Sequence, residues 1–303
     1  MSLLGRILKA ALLMKYRGVF VSTVAMGVLL GASIPARASS DTFNLTAERK
    51  HVLIGAGMTY NAWTYNGTVP GPVLKVHQSD EVNIKLMNHS GDAHGIDVHA
   101  AQISPEQFSG DPMKSVGYSF KAEVPGVYAY HCSAIPILDH IGSGMYGMMI
   151  VEPKSGWPNG EADEVTLVES EFYGLPDQNN FIVGDHEKMV EGRPDFVVFN
   201  GAVDKYDLSN PIPIKVGELV RVFFVNAGPN LTSTFHVAGV LFSTVYRSGN
   251  PANALRGVNT FEVPPGDGAV FEFKVNQPGD YSFIDLNRAH QYKGAAGVFR
   301  ATR

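Results

Sequence analysis

The sequence predicts an all-β protein built as two tandem copies of one sandwich domain, and three observations carry that prediction. Helical periodicity is scarce after residue 40, and short alternating runs recur instead, such as Val82-Asn83-Ile84-Lys85-Leu86 and Val220-Arg221-Val222-Phe223-Phe224. Turn formers are plentiful, with 32 Gly and 18 Pro in 303 residues, and their clusters fall at the spacing of sandwiches and barrels. The chain also repeats itself. VPGPVLKVHQSDEVNIKLMN (69–88) resembles NPIPIKVGELVRVFFVN (210–226), FKAEVPGVYAYHC (120–132) resembles FEFKVNQPGDYSFID (271–285), and GMYGMMIVE (144–152) resembles KGAAGVFRA (293–301).

From the N-terminus, the first element is a targeting segment. Lys15 and Arg17 precede an apolar stretch from Val19 to Ile34, and Ala36-Arg37-Ala38 forms a small-x-small cleavage site. Met14 would open an ordinary signal peptide, so residues 1–13 read as an over-long start. The apolar run falls short of the ~20 residues of a membrane span and breaks at Pro35. The expectation is a cleaved signal peptide over 1–38 and an exported protein with no span in its mature part. Net charge is −5, charged residues make up 17% and no basic run occurs, which excludes nucleic acid as a partner. Lys154-Ser155-Gly156-Trp157-Pro158-Asn159-Gly160 is the natural boundary between the two copies.

Cys132 is the single cysteine, so no internal disulfide is possible in an oxidising compartment, and metal ligation is the obvious use of the thiol. Cys132, His140 and Met145 lie on one short stretch, with His94 well upstream and Gly142 and Gly144 letting the loop turn back. A Met near a strand is usually core, as expected for Met148 and Met149, and a single His is usually surface. Thiolate, two imidazoles and a thioether together form the ligand set of a blue copper electron-transfer site. The second copy has Ile284-Asp285 where the first has His131-Cys132, so thiolate chemistry belongs to the first copy alone.

Side chains alternate faces along a strand. If Cys132 faces the domain interior, His131 faces outward and can bind a second metal. In His94-Gly95-Ile96-Asp97-Val98-His99, Asp97 and His99 share a parity that His94 lacks. His94 can then join the first constellation while Asp97 and His99 join His131. The bland alternative makes His99 and His131 solvated surface residues.

These motifs resemble the copper-containing nitrite reductases over almost the whole mature chain. The matching stretches are YNGTVPGPVLKVHQSDEV, HGIDVHAA, FKAEVPGVYAYHC, SGMYGMMIVEP, VVFNGAV and GPNLTSTFHVAG. The resemblance implies two cupredoxin-like Greek-key β-sandwich domains of the multicopper oxidase superfamily, roughly 41–153 and 160–303. It makes His94, Cys132, His140 and Met145 ligands of a type 1 copper, and His99 and His131 ligands of a type 2 copper. Asp97 becomes the carboxylate that hydrogen-bonds nitrite, and His236 its partner from domain 2. It further implies a periplasmic homotrimer with each type 2 copper between subunits, and a cupredoxin or c-type cytochrome as electron donor for denitrification. The family places a third type 2 histidine where Leu286 stands here. The candidates to replace it are His290 and, as an oxygen ligand, Asp285.

The expected function is copper-dependent reduction of nitrite to nitric oxide. Two other classes compete with it. A laccase-like oxidase needs eight histidines, usually as His-x-His pairs in both domains, and domain 2 offers only His236-Val237-Ala238. An electron carrier with type 1 copper alone is favoured by Leu286.

Overall fold

The computed structural model describes residues 39–104 and 109–303; the expected signal peptide lies outside the described residues. The architecture is all-β with two sandwiches in tandem, as expected. In the first, a five-stranded sheet runs in the order Phe181–Ile182, Thr59–Tyr65, Ser40–Leu53, Glu81–Asn88, Ser115–Lys121. It faces a four-stranded sheet in the order Leu74–His77, Tyr146–Glu152, Gly126–His131, Asp97–Val98. Strand Phe181–Ile182 comes from beyond the expected domain boundary and pairs in parallel with Thr59–Tyr65.

The second sandwich has a six-stranded sheet in the order Phe196–Phe199, Asp163–Phe172, Val220–Gly228, Gly268–Phe273, Thr244–Arg247, Ala254–Leu255. Its partner sheet runs Ile212–Lys215, Ala296–Thr302, Gly279–Asp285, Ser233–Val237, Thr260–Val263. The interior is rich in phenylalanine, with Phe235 and Phe271 ring centres 4.8 Å apart. Such contacts add to the area term that dominates core stability.

Two of the alternating runs have different fates. Glu81–Asn88 alternates as read, with Val82, Ile84 and Leu86 buried and Lys85 exposed. Val220–Gly228 is buried at every position, because its second face meets the first sandwich. There Phe223, Val225 and Val270 pack with Val127, Ala129, Met148 and Ile150 in one apolar cluster. Arg221 is consequently buried at 1% exposure, held by Glu272 at 2.5 Å and by the Gly160 carbonyl at 2.8 Å, beneath the Trp157 ring. The same double burial fixes strand Gly126–His131. Tyr130 packs into the first core while Val127 and Ala129 join the shared cluster, so the strand's C-terminal end is rigidly placed.

Each sandwich has a one- to two-turn helix between two neighbouring strands: Ile137–Gly142 between Gly126–His131 and Tyr146–Glu152 in the first, and Arg288–Tyr292 between Gly279–Asp285 and Ala296–Thr302 in the second. No helix among the described residues is long and apolar enough to cross a membrane.

Candidate metal centres

Strand Gly126–His131 ends one residue before Cys132, and helix Ile137–Gly142 then carries His140 back across the end of the sheet. Cys132 N–H donates to the Met145 carbonyl at 3.1 Å and Met145 N–H to the His140 carbonyl at 3.0 Å, pinning the three residues together. His94 enters from strand His94–Gly95. The result is a converging set in which His140 Nδ1 lies 3.0 Å from Cys132 Sγ and 3.1 Å from His94 Nδ1, with His94 Nδ1 3.9 Å from Sγ. Met145 is fully buried on the same loop. Trp63 stands edge-on to both imidazoles, 5.3 Å from His94 and 4.5 Å from His140. Nothing local in the sequence marked Trp63, which sits on a strand 31 positions before His94.

Burial sets the protonation of this pocket. It lowers both His94 and His140 to about 4, with His94 adding to the shift of His140, so both rings are neutral near pH 7 and keep a lone pair for a metal. Burial pushes the Cys132 thiol up to about 11, against the Gly95 N–H that donates to its sulfur at 3.3 Å. A metal here must therefore displace the thiol proton. Two neutral imidazoles that turn Nδ1 towards one buried sulfur in a dry pocket suit a soft copper site.

On the other side of the strand, His131 and His99 meet with their Nε2 atoms 3.0 Å apart and their rings perpendicular. Asp97 pairs with His131 across the sheet and joins them in one potential ligand cluster. The Nδ1 of His131 lies 3.0 Å from the Cys132 carbonyl, and that of His99 lies 2.9 Å from the Gly266 carbonyl of the second sandwich. Those carbonyls engage each Nδ1–H and leave both Nε2 atoms to face one point. Burial lowers His131 below the ordinary histidine range, and the neighbouring His99 lowers it further. His99 is exposed and Asp97 half-buried, so this set stays open to a small ligand, unlike the first. Two imidazoles and a carboxylate fit part of a copper ligand sphere.

The second sandwich contributes differently. His236 lies half-buried on strand Ser233–Val237, with Nδ1 2.7 Å from the Asn259 carbonyl and 3.3 Å from the Thr260 hydroxyl. The carbonyl fixes the ring's tautomer and leaves Nε2 available. The ligand cluster of Asp97, His99 and His131 does not include it. His290 does not join that cluster either. It is buried on helix Arg288–Tyr292, its Nδ1 2.5 Å from Asp285 and its Nε2 2.9 Å from Asn287, in a third cluster with Glu169. Glu169 carried no sequence signal, being 116 residues from Asp285.

Comparison with known proteins places these features in a family. Multicopper oxidase family profiles match residues 46–156 and 177–303. The copper-containing nitrite reductase of Neisseria gonorrhoeae is 38% identical over 253 residues, covering 80% of this chain, which spans only 64% of that relative's length. The corresponding protein of Rhizobium sullae is 32% identical over 285 residues, covering 84% of this chain and 74% of its own length. Among solved structures, the copper nitrite reductase of Nitrosomonas europaea superposes with a TM-score of 0.82 at 35% identity, covering 88% of this chain and 95% of that one. The Cu-containing nitrite reductase of Thermus scotoductus gives 0.81 at 33%, covering 87% and 62%. Type 1 and type 2 copper are the cofactors this relationship implies, and the first two clusters have donors of the right kind for each.

Proposed function

The chain belongs to the copper-containing nitrite reductase family, and from that premise we propose that it reduces nitrite to nitric oxide: one nitrite, one electron and two protons give one nitric oxide and one water. The observation that supports it most is the back-to-back arrangement at the end of one strand. Cys132 faces a dry four-residue pocket and His131, its direct neighbour, faces an open imidazole–carboxylate cluster.

His94, Cys132, His140 and Met145 would hold the type 1 copper, and His99 and His131 the type 2 copper. Copper supplies one-electron redox chemistry at the first site and Lewis acidity with redox chemistry at the second. The residues do the rest. The peptide link between Cys132 and His131 is the short covalent connection between the two ligand sets. Asp97 hydrogen-bonds nitrite and delivers one proton, and His236, through Nε2, delivers the other. The Asn259 carbonyl keeps the imidazole of His236 turned for that purpose.

In this reading the protein is exported to the periplasm and acts as a homotrimer, with His236 of one subunit completing the cluster of the next. A cupredoxin or c-type cytochrome donates the electron. A second reading, an electron carrier with type 1 copper alone, is favoured by Leu286 and by the inward placement of His290. Nitrite-dependent release of nitric oxide by the copper-loaded chain, with a reduced small-molecule donor, tests the choice. Turnover supports the reductase; a blue protein that is reoxidised by electron acceptors yet leaves nitrite untouched supports the carrier.

A further inference from the structure

The closing loop of the second sandwich copies that of the first, bond for bond. Asp285 N–H donates to the Ala295 carbonyl at 3.1 Å, as Cys132 N–H does to Met145. Ala295 N–H donates to the His290 carbonyl at 3.0 Å, as Met145 N–H does to His140. Thr234 N–H donates to Asp285 Oδ1 at 3.1 Å, where Gly95 N–H donates to Cys132 Sγ. The strand registers agree, because His236 faces Ile284 as Asp97 faces His131. In this frame Asp285 takes the place of Cys132, His290 that of His140, Ser233 that of His94 and Ala295 that of Met145.

The side chains in this second cradle still converge. His290 Nδ1, the same ring nitrogen that His140 turns to Cys132, lies 2.5 Å from Asp285 Oδ2. Ser233 Oγ donates to Glu169 Oε2 at 2.5 Å, and Glu169 enters from strand Asp163–Phe172. One ligand atom each from Glu169, Asp285 and His290 lies within 4.8 Å of the others, and all three residues are at least 95% buried. We propose that Glu169, Asp285 and His290 form a third metal site, which takes a divalent ion of borderline hardness such as zinc(II).

The donor chemistry selects the ion. Replacing the blue site's thiol and thioether by a carboxylate and an alanine removes every soft ligand, and one imidazole with two carboxylate oxygens suits zinc. Charge supports occupation as well. Two carboxyls in one dry pocket ionise together only beside positive charge, and a divalent ion would supply more of it than the one imidazole, His290, that faces Asp285. Burial, and then the Asp285 carboxyl, hold the Glu169 carboxyl well above the ordinary range in the absence of an ion. A cavity of about 410 Å³ lies beside the cluster, lined by His290 with Lys188, Arg193, Asp195, Leu231 and Lys293. The cationic groups there are engaged, Lys188 by Asp195, Arg193 by Glu191 and Lys293 by the Pro194 carbonyl.

The test uses the full mature chain carrying Cys132→Ala and His131→Ala, which disables both copper clusters. Zinc bound after dialysis is counted by mass spectrometry, and the thermal midpoint is followed as zinc is added. The expected result is one zinc per chain, a midpoint that rises with zinc, and at least tenfold weaker binding with no rise after Glu169→Gln or His290→Gln. Equal zinc binding in the parent and either variant would overturn the site. Should those variants fail to fold by circular dichroism, the parent decides alone: a midpoint indifferent to saturating zinc would overturn it too.

Discussion

The loops that close the two sandwiches share a backbone and differ in their donors. In the first, Cys132, His140 and Met145 bring sulfur and imidazole to a pocket that burial keeps free of charge, with both histidines neutral near pH 7. In the second, the same three backbone positions carry Asp285, His290 and Ala295, and Glu169 adds a second carboxyl. The difference teaches that this fold supplies the cradle, through the register of strand and helix, while side chains decide what the cradle holds. A soft set takes copper into a redox role. A hard set in an equally dry place has to find a proton or a cation for its carboxylates.

Breaking the first cradle should give the largest effect. Cys132→Ser removes the thiolate, and absorption spectra of the copper-loaded variant should lose the blue colour completely; a variant that stays blue would contradict the assignment. Next comes the open cluster. Asp97→Asn should lower nitrite turnover by about 10²–10⁴-fold, the usual span of a lost general acid, with the blue colour retained. Turnover within twofold of the parent would remove Asp97 from proton delivery.

The seam between the sandwiches offers a smaller but clear effect. Arg221→Ala leaves Glu272 fully buried without its cation, with Asn159 and Tyr246 still donating to it, and denaturant titration should show a loss of about 3–5 kcal/mol. A loss below about 1 kcal/mol would show that water reaches Glu272. The smallest effect concerns pH. In copper-free protein, His94 and His140 bind protons in the unfolded chain at their ordinary 6.5 but only near 4 when folded. Their contribution is therefore complete above pH 6.5 and is lost as pH falls towards 4. Denaturation midpoints should decline across that window, and His140→Gln should flatten the decline. An unchanged slope in that variant would place the titration elsewhere.

Much of this was legible in the sequence, for physical reasons that differ by region. Strand alternation and the single cysteine pointed to the first cradle, because Cys132, His140 and Met145 fall on one loop and their types are rare together. The parity argument put His131 and Asp97 on one face, and the structure brings them together there because both lie on extended strands that pair with each other. Val220–Gly228 misled, since alternation signals one buried face and this strand has two, with Arg221 neutralised inside. His290 was read as a candidate for the open cluster, yet helix Arg288–Tyr292 turns it inward to Asp285. Glu169 could not be read at all, as its partners are distant in sequence and only folding brings them to it.

The most direct test of the central claim is electron paramagnetic resonance with copper counting on the purified, copper-loaded mature chain and its His131→Ala variant. The account predicts separate type 1 and type 2 signals in the parent, two coppers per chain between them, and loss of the type 2 signal alone in the variant. One copper per chain with only the blue signal would contradict it, and would leave an electron carrier built on a reductase fold.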